Sequence, residues 1–529
     1  MKSNAICAVM LRKYFFGNRI LPLKPLGAIR FRSAQAQVIE DDSSTNNFVE
    51  EWVKADPYEK IPGPKLWTML RGFAPGGRYY NATLPEMHRR LRADYGDLIK
   101  LPAAFGRPDI LMSYSADDYQ TLFRTEGHWP VRQALDSFVY YRKVMRPHVF
   151  KMGGLVSEQG EDWQQLRSVV NPVLMQPKTV KQYIEKVNAV TMDLVKIMQG
   201  IRDAKNELPA DFNMWLNRWA LETIGVIALD TRFGVLNESR SPETEKMVDL
   251  LRELFVLIYK LDIEPSLWKL YKTPNFKRMV KIMDELTDIV MKKVDQAIQR
   301  LGQNPTTENL SVLEKLLKVN RDVAVVMAVD MLMAGVDTTS SATVGILHSL
   351  ATNPEKQQKL REELRTILPR KDSPLTVDNM RNLPYLRACI KEGMRIAPPT
   401  VGNARNAGQD IVLQGYQVPK GTNVVMAAMT LNIDDRHHPR AKEYLPERWL
   451  KEEGYPSVKD AHPFVFLPFG FGPRTCIGRR LAQMEMEIVV ARITRQFEYR
   501  WNYGPLRIKG AIVNVPENEL KFEMVEVKE

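Results

Sequence analysis

Phe469-Gly470-Phe471-Gly472-Pro473-Arg474-Thr475-Cys476-Ile477-Gly478 is the stretch on which the reading of this chain turns. Its pattern is F-x-x-G-x-R-x-C-x-G. Gly472 lets the backbone pass close to a neighbouring group where a side chain would clash. Apolar residues recur at helical spacing across 479–497, so Cys476 falls just ahead of a helix. There the positive end of the macrodipole and nearby amides stabilise a sulfur anion. Gly478 keeps the start of that helix slim. A C-x-G by itself would be an ordinary buried thiol beside a turn. The full spacing asks for more.

Working outward, most of the chain reads helical. The 3.6-residue apolar period runs across 179–200, 212–230, 244–260, 276–301, 321–352 and 354–367. Strand-like pieces are short: Leu98–Leu101, Asp109–Ser113, Asp410–Val412 and Asn423–Ala427. The expectation is a mostly α fold with minor β sheets. Residues 61–529 read as one domain, beginning at the stiff Ile61-Pro62-Gly63-Pro64. Residues 34–60, with Glu40, Asp41 and Asp42, read as a linker.

The 529 residues are 44% hydrophobic and 26% charged, which suits a packed core. Three cysteines, Cys7, Cys389 and Cys476, cannot build a disulfide framework and fit a reducing compartment. The formal charge of +12 is concentrated at the start. Residues 1–33 hold seven Lys or Arg and no Asp or Glu, and without them +5 remains. That start reads as a mitochondrial presequence. Its apolar run Ala5–Leu11 is broken by Arg12-Lys13 and is far short of the roughly 20 residues a bilayer span needs. There is no basic stripe with interleaved aromatics, so nucleic acid is not the expected partner. Leu254–Tyr259, followed by Lys260, Trp268, Lys269 and Tyr271, could touch a membrane surface, or could equally be core.

Further residue groups carry chemistry. Ala334-Gly335-Val336-Asp337-Thr338-Thr339 sits mid-way along the apolar helix 321–352. Thr338 can bond a carbonyl one turn back and distort that helix. Glu392 and Arg395 are three apart and share a helix face, and Trp163 and Arg167 do so at a spacing of four. Pro446-Glu447-Arg448-Trp449 and Arg405 follow. Two basic pairs, Arg387 with Lys391 and Arg479 with Arg480, lie beside Glu392 and the cysteine loop. Such patches steer acidic partners.

Together these motifs resemble the cytochrome P-450 superfamily, the haem-thiolate monooxygenases, over residues 61 to near the end. The likeness is to the mitochondrial branch and its insect members. The resemblance implies the P-450 fold, a single large helical domain enclosing haem b. It implies Cys476 as axial thiolate, with Phe469, Gly472 and Gly478 shaping its loop. Trp163, Arg167, Arg405 and Arg474 are implied haem-propionate partners. Asp337 and Thr338 become the proton-delivery pair for oxygen activation, a kind of help that typically contributes about 10²–10⁴-fold. Glu392, Arg395 and Arg448 become a buried structural cluster, with Trp449 where the family has Phe. Arg387, Lys391, Arg479 and Arg480 become the docking site of an adrenodoxin-type ferredoxin, itself reduced by NADPH through its reductase.

The implied reaction inserts one oxygen atom of O2 into a lipophilic substrate, first of all a foreign compound of the insecticide kind. A biosynthetic steroid or ecdysteroid hydroxylase of the same branch is the rival. A haem-thiolate isomerase without monooxygenase activity is the second. By analogy the pocket draws on 128–150, 254–275, 330–338, 398–404 and 509–516. The implied location is the matrix side of the inner mitochondrial membrane, with peripheral membrane contact.

Overall fold

The apolar helix anticipated at 321–352 is the spine of the molecule. In a computed structural model it spans Arg321–Ala351, and residues on every side of it are buried. It starts where the Asn320 side chain accepts from the Asp322 and Val323 amides, satisfying two of the orphan donors of a helix N-terminus. It is long and apolar enough to cross a membrane, but 83% of its most apolar window is buried inside the protein. Its apolarity therefore serves core packing.

The structure describes residues 42–103, 107–133, 135–239, 242–264, 266–303, 310–510 and 512–528. The presequence assigned to residues 1–33, with Cys7, lies outside them. The chain divides into Met1–Glu50 and one compact unit, Glu51–Glu529. The unit's main core is helical. Phe212–Leu229 and Pro384–Ile396 pack against the spine, and Arg479–Gln496 runs beside it. A smaller core lies under a four-stranded sheet.

That sheet has strand order β1-β2-β6-β3, with β1 Leu98–Leu101, β2 Ile110–Ser113, β3 Asn403–Asn406 and β6 Asn423–Met426. Only β2 and β6 run parallel, with Ile110 opposite Asn423. β4 Ile411–Leu413 and β5 Tyr416–Val418 form a separate hairpin. All four anticipated strands are present, each within one residue of its expected ends.

Three local readings differ. The single helix expected at 179–200 is two, Pro177–Lys181 and Ile184–Ile201. The chain breaks step at Tyr183, which is fully buried and whose hydroxyl accepts the Val312 amide at 2.9 Å. The stretch 34–60 is not linker throughout. Asp42–Lys54 is helical, and Asp56 pairs in a β-bridge with Tyr416, so the compact unit starts before Ile61. The run Leu254–Tyr259 is mostly core, with Leu254, Leu257 and Ile258 buried. Apart from Val256, the exposed apolar residues come just after it: Ile263, Leu267, Leu270 (78% exposed) and Tyr271.

Candidate functional site

The cysteine loop is closed by its own backbone. The Cys476 amide donates to Phe469 O at 2.9 Å and the Thr475 amide to Gly472 O at 3.0 Å. Gly472 has φ +71°, where a β-carbon is strained, and a Cβ there would lie 2.5 Å from Glu126 Oε1. The turn and a carboxylate 346 residues away in sequence both demand this glycine. Gly478 is under less constraint: a Cβ would meet only Cys476 Sγ, at 3.9 Å. The slimness read from the sequence is therefore not forced by protein atoms. Cys476 keeps accessible surface although its neighbour Arg474 is buried. Burial pushes its thiol up. The Gly478 amide, Arg167, Arg132 and Arg479 pull it back toward thiolate.

Along the spine, Met333, Val336, Asp337 and Thr339 are buried, whereas Ala334 is exposed and Gly335 and Thr338 are half-buried. A narrow stripe of a core helix is thus left uncovered. Thr338 Oγ1 donates to Ala334 O at 2.6 Å, the backbone bond expected one turn back. Gly335 has a packing role. A Cβ there would come 2.8 Å from Ile224, so its smallness lets Phe212–Leu229 approach the spine. Asp337 has one charged neighbour of consequence. Burial pushes its carboxyl up to about 6, and Arg252 pulls it down slightly.

The arginines converge. Arg405, Arg167 and Arg132 are close enough to Arg474 to depress it. Burial, then Arg132, Arg405 and Arg167, lower Arg474 to about 9. Burial, then Arg405, lowers Arg132 to about 10. Arg132 was missed in the sequence, where nothing but its place in the stretch 128–150 pointed to it. The four differ in how far the protein satisfies them. Arg474 spends four donors on Pro130 O, Leu155 O, Glu158 O and Gln159 Oε1, and its guanidinium lies 4.0 Å from the Trp163 ring centroid. With five N–H groups in all, it has one to spare. Its part is therefore mainly to tie the cysteine loop down. Arg405 gives Nε to Glu126 Oε2 at 2.6 Å and bonds Ala404 O and Phe471 O, which leaves two. Arg167 is buried and its Nε has no hydrogen-bond partner. Four arginines facing one carboxylate, some donors unused, are the donor set for a dianion. The two propionates of a haem would fit it, and the accessible Cys476 sulfur would be free to ligate its iron.

Behind the loop, Glu392 is enclosed completely. It takes Arg395 on both oxygens at 2.7 and 3.0 Å, Arg448 Nε at 2.9 Å and the Leu445 amide at 3.1 Å. Burial alone would raise its carboxyl; the arginines and this amide win and hold it below the usual range. The two arginines also bond carbonyls of Asn432, Ala441, Glu443, Pro439 and Arg440, so the cluster pins the segment 432–449. Trp449 explains itself here. Its Nε1 donates to Glu392 Oε2 at 2.8 Å, a bond Phe cannot make. Trp449→Phe is expected to cost about 1.5–3 kcal/mol, the range for a buried hydrogen bond to a charged group. A lower thermal midpoint and faster haem loss at unchanged substrate affinity are the readouts.

The two basic pairs are redistributed. Arg387 is tied by Glu487 Oε1 at 3.0 Å and by the Met380 and Arg381 carbonyls, and Arg480 by Met175 O. Arg387 and Arg480 meet across a groove of about 250 Å³ that Lys181 and Arg381 also line. Lys391 is exposed outside it, 5.6 Å over the Trp449 ring.

A helical fold with a cysteine loop, an arginine cluster for a dianion and an Asp-Thr pair on a spine helix defines a haem-thiolate protein. The chain belongs to the cytochrome P450 family, whose model, Cytochrome P450, matches residues 62–518. It is 44% identical over 484 residues to "Cytochrome P450 12b1, mitochondrial" of Drosophila acanthoptera, covering 90% of this chain and 91% of that one. It is 42% identical over 510 residues to "Cytochrome P450 CYP12A2" of Musca domestica, covering 93% and 95%. With "Probable cytochrome P450 12d1 proximal, mitochondrial" of Drosophila melanogaster it shares 36% over 512 residues, covering 95% and 98%. It is thus a haem-thiolate monooxygenase of the insect CYP12 kind, with a haem cofactor.

Proposed function

We propose that this enzyme works on the matrix side of the inner mitochondrial membrane and oxidises lipophilic foreign compounds with electrons from an adrenodoxin-type ferredoxin. The observation that carries the oxygen chemistry is the Asp337-Thr338 pair. A carboxyl pushed up to about 6 exchanges protons near neutrality, and it lies one residue from a hydroxyl held on Ala334 O. By the family resemblance, haem-thiolate isomerases often depart from this pair, and this chain keeps it. Bound on Cys476, the haem supplies oxygen activation, the thiolate pushing electron density that favours O–O cleavage. The residues do the rest. Arg167 and Arg405, with Arg132, would hold the propionates; Arg474 and Trp163 fix the loop; Phe469, Gly472 and Gly478 shape it. Glu392, Arg395 and Arg448 hold the scaffold behind. Ile263, Leu267, Leu270 and Tyr271, with Lys269 and Lys272, supply the membrane contact.

Ferredoxin docking falls to the exposed Lys391, to Arg479 and to the groove of Arg387 and Arg480. Lys391→Glu with Arg479→Glu is expected to slow reduction by ferredoxin about tenfold at low salt, less at high salt, at unchanged haem content. Stopped-flow reduction checks this, and unchanged rates exclude the site.

The resemblance read from the sequence motifs is what favours foreign compounds over a steroid. Product formation with ferredoxin, its reductase and NADPH decides, across steroids and unrelated lipophilic toxins. Slow oxidation of many toxins is the expected result. Conversion of one steroid at one carbon would make the enzyme a biosynthetic hydroxylase instead.

A further inference from the structure

Glu126 is in an unfavourable place for a carboxylate. It is buried at the C-cap of the helix Ala116–Thr125, where the helix presents its negative end. Oε2 takes Arg405 at 2.6 Å, while Oε1 has no hydrogen-bond partner and looks at the space above Gly472. Desolvation pushes the carboxyl up; Arg405 first and Arg474 second pull it down. The pair it forms with Arg405 is 1–3% exposed and lies against Phe123, whose ring centroid is 5.0 Å from the guanidinium. Arg405 in turn bonds Phe471 O of the cysteine loop at 3.2 Å. Glu126 thus touches the two things that meet the haem, an arginine of the cluster and the glycine turn of the loop.

We propose that Glu126 is a positioning residue for the haem site, holding Arg405 against the cysteine loop and setting the charge around the propionates so that it tunes the haem reduction potential. The count supports this. Arg132, Arg167, Arg405 and Arg474 bring four positive charges, and among the described residues Glu126 is the acid that draws on both Arg405 and Arg474. Reduction adds one electron to a site whose field these groups set. Loss of the Glu126 charge favours the ferrous state and raises the potential. Loss of the Arg405 charge lowers it.

The inference rests on haem being held over the Cys476 loop, and the thiolate signature of the ferrous carbon monoxide complex reports on that separately. The test is spectroelectrochemical titration of the haem-loaded full chain as Glu126→Gln, Glu126→Asp and Arg405→Gln. Glu126→Gln should move the ferrous-to-ferric ratio at fixed potential about tenfold upward, equivalent to about 59 mV for one electron. Glu126→Asp should stay near the parent and Arg405→Gln should move the other way. Shifts of the same sign in Glu126→Gln and Arg405→Gln, or none in Glu126→Gln with the thiolate signature intact, overturn the proposal. If Glu126→Gln does not hold haem, the other two decide. A fallen potential in Arg405→Gln beside an unmoved Glu126→Asp upholds it, and an unmoved Arg405→Gln overturns it.

Discussion

Cys476→Ser is expected to abolish product formation and erase the red-shifted carbon monoxide band of thiolate ligation, with the fold kept. The loop explains both halves. Its closure uses the Cys476 and Thr475 amides and the positive-φ turn at Gly472, none of which involves the sulfur. A serine oxygen therefore occupies the same place in the same turn. The Gly478 amide and Arg167, Arg132 and Arg479, which draw the thiol toward its anion, cannot ionise an alcohol at neutral pH. No anion is left to push density onto iron. Cys389 cannot substitute. It is fully buried on Pro384–Ile396, and burial first, with Glu363, Glu447 and Glu392 adding to it, pushes its thiol far above the usual range. Unchanged far-ultraviolet circular dichroism beside a lost band is the expected pair of results. A retained band would mean that another group ligates the iron.

What could be read from the sequence divides by distance along the chain. Glu392 with Arg395, Trp163 with Arg167, and Asp337 with Thr338 each sit within one helical turn, so spacing alone places them on one face. The cysteine loop is ten consecutive residues. The helices and strands follow from apolar periodicity, a local signal, and their ends were nearly right. Partnerships across the chain were not legible. Arg405 read as a propionate partner, and nothing in the sequence paired it with Glu126, 279 residues away. That Arg474 spends most of its donors inside the protein was hidden, because the carbonyls it serves are 316–344 residues distant. The tie between Arg387 and Glu487, 100 residues away, was equally hidden. The common cause is that a side chain's charge is written in the sequence but its neutralisation is not. Trp449 is the converse case. Its departure from the expected Phe was visible, and only the position of Glu392 Oε2 gave it a purpose.

Asp337→Asn is expected to slow oxygen activation by about 10²–10⁴-fold while making the protein more stable. Asn cannot carry a proton, so product formed per NADPH consumed falls as well. The stability change follows from where the carboxyl ionises. Folded, Asp337 keeps its proton up to about pH 6, because burial outweighs the pull of Arg252; its ordinary value is 3.8. Between those values the folded chain binds a proton that the unfolded chain has lost. Stability therefore declines as pH rises through that window and stays reduced at neutrality, by about 3 kcal/mol for a displacement of that size. Removing the charge removes the penalty, so the variant should melt higher at pH 7 and show little advantage below pH 4. A buried acid that costs the fold this much, and that Arg252 only partly offsets, belongs to the chemistry rather than to the architecture. Thermal melts of both forms at pH 4 and pH 7, with coupled turnover at pH 7, are the measurements. Turnover and melting point both unchanged at pH 7 would show that Asp337 is neither strained nor a proton carrier, and the oxygen-activating role would then have to rest on Thr338 alone.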